Sequence, residues 1–370
     1  MDRNSIIGIV IIAVIFVVFS IVNKKPAEQL AEEKRINDSI RKVEEIAQRE
    51  AELEKLKKEL NQPVATENAV EMTPVAEVKV KVDTVDYRKI ILENDLIRVV
   101  LSEKGGRPVS VELKDYMRYD SVPVRLFDED SSKFGMQYSW NNRPRNTGDF
   151  YFQALTKSND LNAENDTQTV IMRYNRDEAN YIEYRYSLAP GRYLLNMEIE
   201  FVGMKDISTP LGSIDLNWMI NSPQQERGRD NEMIYTTLYY KPLGDDVDFF
   251  RMRTKKAVQE ESFPTSLEWI AYKDQFFSSV IIARDAFLDA NMQSEIKSKS
   301  SKYLKKFESR ISLPFEKTGN YTTGVDFYFG PNKYKLLKNK YGEKRLYDLV
   351  TVGKGIIKWI NQIVIATIES

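Results

Sequence analysis

The sequence predicts a mainly β protein with helical ends. An uncharged apolar run occupies residues 6–22, alternating apolar residues and close turns fill the centre, and a helical apolar period returns near residue 350. We therefore expect four parts. They are a short tail and transmembrane helix (1–25), a charged helical tether and linker (26–86), an enlarged β-sandwich domain (87–335) and a C-terminal region of amphipathic helices (336–370).

The composition restricts the chemistry that the chain could perform. The chain has 370 residues, with 54 basic and 55 acidic side chains, so no global basic field attracts nucleic acid. It has no cysteine, which excludes disulfides, thiolate nucleophiles and cysteine–zinc sites, and no histidine, which excludes Ser-His-Asp and Cys-His catalysis. We predict that the chain is not an enzyme, binds no nucleic acid and holds no cofactor.

The apolar run at residues 6–22 is the predicted membrane anchor. As a helix it spans roughly 25 Å, which is within the range for a bilayer core. A cleaved signal peptide is disfavoured because no Ala-x-Ala site follows, and a buried core helix is the remaining alternative. The predicted anchor residues are Ile6, Ile11, Val14, Phe19 and Val22.

The flanks of this helix leave its orientation open. Only Arg3 precedes it, whereas Lys24, Lys25, Lys34 and Arg35 follow it, so the positive-inside rule taken alone would place the large domain in the cytoplasm. Long domains can be translocated regardless of such counts.

The tether changes character near Gln62. Its first part is rich in Ala, Glu, Lys and Leu, with apolar residues at helical spacing from Ile36 to Leu60. A strict heptad fails between Val43 and Leu53, which favours a solvated spacer helix, with self-pairing or partner docking as the alternative. Residues 62–74 are typical of a flexible linker.

The central domain contains two clear hairpins. Apolar residues alternate over 97–101 and 109–113 around the turn at 103–106, and again over 182–188 and 195–201 around Pro190-Gly191. Further strands are predicted at 169–174, 233–240, 278–283 and 321–329. Many short strands with close turns are typical of a sandwich or barrel, and the length of this region favours an enlarged sandwich.

Two further segments are candidate contact sites. The polar loop at 224–231 offers Gln225, Arg227 and Arg229 for a partner, although a solvated loop is the simpler interpretation. After a short basic helix at 334–339, an amphipathic helix with lysine and tryptophan is predicted to lie among the lipid headgroups, the alternative being a helix packed on the sandwich. Its predicted interfacial residues are Ile356, Lys358, Trp359, Ile360 and Ile363.

Four stretches together resemble the N-terminal portion of the YidC membrane protein insertases of Bacteroidetes-like bacteria. They are the first 40 residues, NDLIRVVLSEKGGRPVSVELKDY (94–116), LEWIAYKDQFFSSVII (267–282), and FYFGPNKYKLLK (327–338) leading to GKGIIKWINQIVI (353–365). None is an active-site signature. Their order and spacing extend over nearly the whole chain.

The resemblance implies a location and partners. Residues 6–22 would be the first transmembrane helix in the inner membrane, and the β domain would be a periplasmic sandwich similar to mutarotase-like folds. Residues 353–365 would lie at the lipid interface. The implied partners are the lipid bilayer, nascent membrane proteins and translocon components, with the oligomeric state left open. This topology replaces the one suggested by the charge count.

The sequence also differs from the family pattern in one respect. In this family five further transmembrane helices enclose a hydrophilic groove with a basic residue, and the present sequence has no such helices after residue 365. The expectation is a truncated member that is inactive alone. Two alternatives remain, namely an independent anchored sandwich that binds glycan or an envelope protein, and a carbohydrate-active enzyme, which would need a carboxylate pair with separated pKa values.

Overall fold

A computed structural model of the chain describes residues 87–209, 212–251 and 257–350, and strands dominate these ranges. The predicted anchor at 6–22, the tether and the interfacial residues 356–363 lie outside the described residues. Within the described ranges, no helix is both long and apolar enough to cross a bilayer. The mainly β character that the alternating pattern predicts is confirmed.

The described strands are numbered in chain order. The first ten are β1 Lys89–Glu93, β2 Ile97–Ser102, β3 Arg107–Met117, β4 Pro123–Phe127, β5 Ser132–Trp140, β6 Arg143–Asn146, β7 Gln153–Ala154, β8 Asp160–Asn162, β9 Gln168–Asn175 and β10 Tyr181–Leu188. The others are β11 Leu194–Val202, β12 Ile207–Ser208, β13 Ser213–Pro223, β14 Thr237–Pro242, β15 Asp248–Phe249, β16 Val258–Phe263, β17 Leu267–Lys273, β18 Phe277–Phe287, β19 Asp289–Ile296, β20 Tyr303–Pro314 and β21 Tyr321–Pro331.

Short helices interrupt the strands at a few places in the described chain. Two are α-helices, α1 at Arg229–Tyr235 and α2 at Tyr334–Tyr341. Four are 3₁₀ turns, at Glu129–Ser131, Thr147–Asp149, Gly342–Lys344 and Leu346–Leu349.

The strands form three sheets. Their orders are β4-β3-β2-β1-β8, then β15-β14-β17-β18-β21-β11-β10-β9-β7, then β12-β5-β13-β20-β19-β16 with β6 added on β5. Among these strands every pairing is antiparallel except that of β1 with β8.

Both hairpins predicted from alternation are confirmed. They are β2–β3 and β10–β11, and their inward residues are fully buried. Gly105 and Gly106 turn the first hairpin at φ angles of 78° and 60°, a left-handed conformation that residues with a Cβ rarely adopt. At Gly106 an added Cβ would lie 2.8 Å from the Phe152 ring, so glycine is also needed for space.

One predicted strand is partly wrong. The segment 233–240 begins as helix, because Met233, Ile234 and Tyr235 belong to α1, and only Thr237–Pro242 forms a strand. The backbone N–H of Thr236 donates to the Glu232 carbonyl and closes the helical turn. The apolar pattern of MIYTTLYY does not distinguish one helical turn from an extended start.

The nine-stranded and seven-stranded sheets enclose the main core. Trp218 of β13 stacks on Tyr272 of β17, with ring centroids 4.0 Å apart and planes at 15°, and Phe134 meets Phe327 at 5.7 Å. The five-stranded sheet joins this core through Phe127, whose ring lies 5.6 Å from Phe329. These contacts bury apolar rings from all three sheets, which is the main source of stability in such folds.

The chain after β21 packs on the nine-stranded sheet. Leu337, Leu346 and Leu349 are fully buried, and the Trp269 indole donates to the Lys344 carbonyl over 2.7 Å. The packing therefore continues beyond residue 335, the predicted domain boundary, to at least residue 349.

Candidate functional site

Three segments meet at one end of the sandwich, which we call the α1 end. They are the β3–β4 turn (117–122), the loop and helix that follow β13 (224–235), and the β17–β18 turn (274–276). The backbone N–H of Tyr119 donates to the Gln225 carbonyl over 3.1 Å, and the Asn231 amide reaches the Gln275 side chain at 3.4 Å. These bonds join segments that are far apart in sequence into one surface.

Large apolar side chains are concentrated on the outside of the α1 end. Of the twelve exposed large apolar residues in the described ranges, six lie on these three segments. They are Met117, Tyr119, Val122, Ile234, Tyr235 and Phe276. Single exposed apolar residues are ordinary on protein surfaces, but a concentration of them is typical of an interaction site.

The three residues predicted for partner contact all lie here, but in different environments. Gln225 is 1% exposed, and its side chain donates to the Arg125 carbonyl over 2.6 Å. Arg229 donates to the carbonyls of Ser298 and Tyr303, at 3.0 and 2.7 Å. Only Arg227 of the three points into solvent. Partner contact by this loop stays a prediction, and Arg227 is its accessible member.

Four ionisable side chains lie beneath this surface. Glu232 is 0% exposed, Asp274 7%, Lys273 4% and Lys305 2%. They come from α1, the β17–β18 turn, β17 and β20, so the cluster forms only when the fold brings these elements together. Sequence reasoning missed this cluster, because each residue alone reads as an ordinary charged residue of a strand or turn.

Hydrogen bonds satisfy both buried carboxyl groups. The Glu232 carboxyl accepts from the backbone N–H groups of Gln225 and Glu226, at 2.9 and 3.1 Å. The Asp274 carboxyl accepts from the Thr236 hydroxyl at 2.8 Å and from the Gln275 N–H at 2.9 Å. The Glu232 and Asp274 side chains are also hydrogen-bonded to each other.

Burial and mutual repulsion shift the protonation of this pair. Burial, and then the nearby Asp274 charge, raise the pKa of Glu232 to about 8. Burial also raises the pKa of Asp274, to about 6, although its hydrogen bond to Thr236 and the nearby Lys273 act in the other direction. At neutral pH the arrangement is a neutral Glu232 donating its proton to an ionised Asp274.

The two lysines are held by backbone carbonyls. The Lys305 ammonium donates to the Thr236 carbonyl over 2.5 Å, and Lys273 donates to Tyr235 and Asp274 carbonyls at 3.4 and 3.3 Å. Burial lowers the pKa of each lysine to about 8. Both therefore tie the C-terminal end of α1 to the sheets.

A small cavity of about 10 Å³ adjoins the Asp274 carboxyl. Its polar lining comes from Ser222, Gln225, Ser278 and Ser279. The Gln225 side-chain oxygen has no hydrogen-bond partner within the part of the chain that the structure describes. This volume suits about one water molecule and is far too small for a sugar ring. The two catalytic carboxyl groups of a glycoside hydrolase lie at least about 5 Å apart. Glu232 and Asp274 are instead hydrogen-bonded to each other, so their separated pKa values do not indicate carbohydrate chemistry.

Residues 89–366 match the protein family described as the YidC periplasmic domain. Among curated proteins, the chain is 35% identical over 382 residues to a membrane protein insertase YidC from Parabacteroides distasonis, a match that covers 98% of this chain and 58% of that protein. It is 33% identical over 369 residues to a Bacteroides fragilis protein of the same name, covering 98% and 57%. The chain thus spans less than three fifths of these relatives.

The described body also has similar solved structures. A galactose mutarotase-like protein from Lactobacillus casei matches at a TM-score of 0.41 and 10% identity, covering 65% of this chain and all of that one.

Proposed function

We propose, from the premise that this chain belongs to the YidC family of membrane protein insertases, that it takes part in the insertion and folding of inner-membrane proteins. The family resemblance predicted from the sequence is confirmed. Insertases of this family are not enzymes, in agreement with the absence of histidine and cysteine. The expected partners are the lipid bilayer, nascent membrane proteins and components of the translocon.

We further propose that the β domain lies in the periplasm and is held to the inner membrane by the helix at residues 6–22. This placement is supported by the family description and by the apolar sequence of that segment. Protease added to the outer face of spheroplasts should then cleave the β domain. A domain that survives until the inner membrane is opened would contradict the periplasmic placement.

Within this role, the α1 end is the proposed contact surface for protein partners. One observation carries this assignment: half of the exposed large apolar residues of the described chain lie on this end. Hydrogen bonds from Gln225 and Arg229 to backbone carbonyls hold the loop beneath them in place. A pre-organised apolar surface loses little conformational entropy when a partner binds.

Site-specific photo-crosslinking in cells tests the contact surface. A photoreactive phenylalanine analogue would replace Met117, Tyr119 or Phe276 of the α1 end, with Leu243 and Leu288, which are exposed apolar residues elsewhere, as matched controls. We expect crosslinks from the α1 end to inner-membrane proteins or translocon subunits, identified by mass spectrometry. Equal yields at the control positions would show that the α1 end has no special role.

A further inference from the structure

The buried carboxyl pair connects α1 to the rest of the sandwich. Glu232 lies in α1, holds the preceding loop through the N–H groups of Gln225 and Glu226, and bonds across to Asp274 in the β17–β18 turn. The charged groups that face the pair are Lys273 from β17, Lys305 from β20 and Arg229 from α1 itself. Contacts from both main sheets therefore converge on one helical turn.

A single proton determines whether this arrangement holds. Two carboxyl oxygens can form a hydrogen bond only when a proton lies between them, and two buried carboxylates at that distance repel strongly. The other hydrogen bonds that the Glu232 carboxyl makes with described residues are accepted, from Gln225 and Glu226, so the shared proton links it to Asp274. Loss of that proton removes the link and leaves two negative charges beneath α1.

We propose that the Glu232–Asp274 pair is a proton-dependent latch that fixes α1 and its preceding loop, residues 224–236, against the two main sheets. When the proton is lost, residues 224–236 open locally and the rest of the sandwich stays folded. Local opening of this kind is common for short segments held by a few contacts. The proposed latch is inferred from the four buried ionisable side chains and does not depend on the proposed function. Only its consequence, that opening alters the α1-end contact surface, rests on the proposed function.

The pH window follows from the direction of the shifts. The pKa of Glu232 is about 8 when α1 is closed and returns toward 4.5 when it opens, so the closed form binds one more proton between these values. Opening therefore rises with pH by about tenfold per pH unit between about pH 6 and pH 8. Below pH 6 the rise is steeper, because Asp274, whose pKa is about 6 in the closed form, then also holds a proton that the open form has lost. Lys273 and Lys305 act in the opposite direction above pH 8, because burial lowers their pKa values and their deprotonation favours the closed form.

Hydrogen–deuterium exchange of the full chain, purified in a mild detergent, tests the latch. Opening of 224–236 would be measured from pH 5 to pH 8 and corrected for the intrinsic exchange rate, with β18 as internal reference. We expect opening of wild-type 224–236 to rise by up to about tenfold per pH unit between pH 6 and pH 8, and more steeply below pH 6, while β18 does not change. Glu232→Gln keeps a neutral donor facing Asp274 at every pH and should abolish the rise between pH 6 and pH 8, where Asp274 is already ionised.

Asp230→Asn is the matched control, because Asp230 is an exposed carboxylate on the same helix and should leave the rise intact. Asp274→Asn is a second test of the pair and should make the rise shallower without abolishing it, because burial, the largest cause of the raised Glu232 pKa, remains. The latch is overturned if wild-type 224–236 shows no rise beyond that of β18, or if Glu232→Gln keeps the wild-type slope. Should both acid variants fail to fold, the wild-type profile decides alone.

Discussion

The two main sheets and the α1 end bury opposite kinds of side chain. Between the sheets the buried residues are mainly aromatic and aliphatic, such as Trp269 and Phe327. At the α1 end four ionisable groups lie inside and six large apolar side chains lie outside. The hydrophobic effect that stabilises an apolar core does not depend on the orientation of individual groups. The α1 end depends instead on hydrogen bonds between particular side chains. We therefore expect the core between the sheets to supply most of the stability and the α1 end to supply the contact with partners.

The largest expected effect comes from the sheet core. Phe327 is 1% exposed and its ring contacts Phe134, Trp218 and Phe329. Phe327→Ala should lower the free energy of unfolding by about 3–5 kcal/mol, because it removes buried apolar area and leaves a cavity. Urea unfolding followed by tryptophan fluorescence measures the change.

Tyr235→Ala is the matched control, since Tyr235 is an aromatic residue exposed on α1. Its cost should be within about 0.5 kcal/mol, as for other surface substitutions. Comparable costs for the two variants would show that the α1 end also supports global stability, and the contrast between the regions would fail.

A smaller loss is expected from the buried acid of the α1 end. Glu232→Ala leaves the buried N–H groups of Gln225 and Glu226 without their acceptor, which should cost about 2 kcal/mol at neutral pH. Glu232→Gln should cost less, because its amide oxygen keeps one of these bonds. Thermal unfolding of both variants measures the order, and an equal cost would argue against the hydrogen bonds as the reason.

The same contrast explains what the sequence could predict. The β10–β11 hairpin was predictable because its inward residues alternate and Pro190-Gly191 marks the turn. The loop of Gln225 and Arg229 was predictable as a polar connection, but not the burial of Gln225. Nothing local links Glu232 to Asp274 or Lys305, because these residues meet only after the two sheets have packed together. Patterns specify strands, whereas buried polar contacts follow from tertiary structure.

A still smaller effect separates two arginines of one loop. Arg229 donates to the carbonyls of Ser298 and Tyr303, whereas Arg227 is exposed. Arg229→Ala should cost about 1–2 kcal/mol, because two carbonyls lose a charged donor. Arg227→Ala should cost less than about 0.5 kcal/mol. Chemical unfolding of the two variants measures the difference, and a reversed order would show that the loop is held in another way.

The smallest effect on stability is expected where the largest effect on binding is proposed. The variants Met117→Ser, Tyr119→Ser and Phe276→Ser each lose apolar area that is already exposed. Each substitution should therefore change the free energy of unfolding by less than about 0.5 kcal/mol. Crosslinking of partners from nearby α1-end positions should nevertheless decrease, because contact residues act through area that only a partner buries. The same substitutions at Leu243 and Leu288 should leave both quantities unchanged. If the α1-end variants lose stability instead, these side chains belong to the fold, and the division between a stabilising core and a contacting end is wrong.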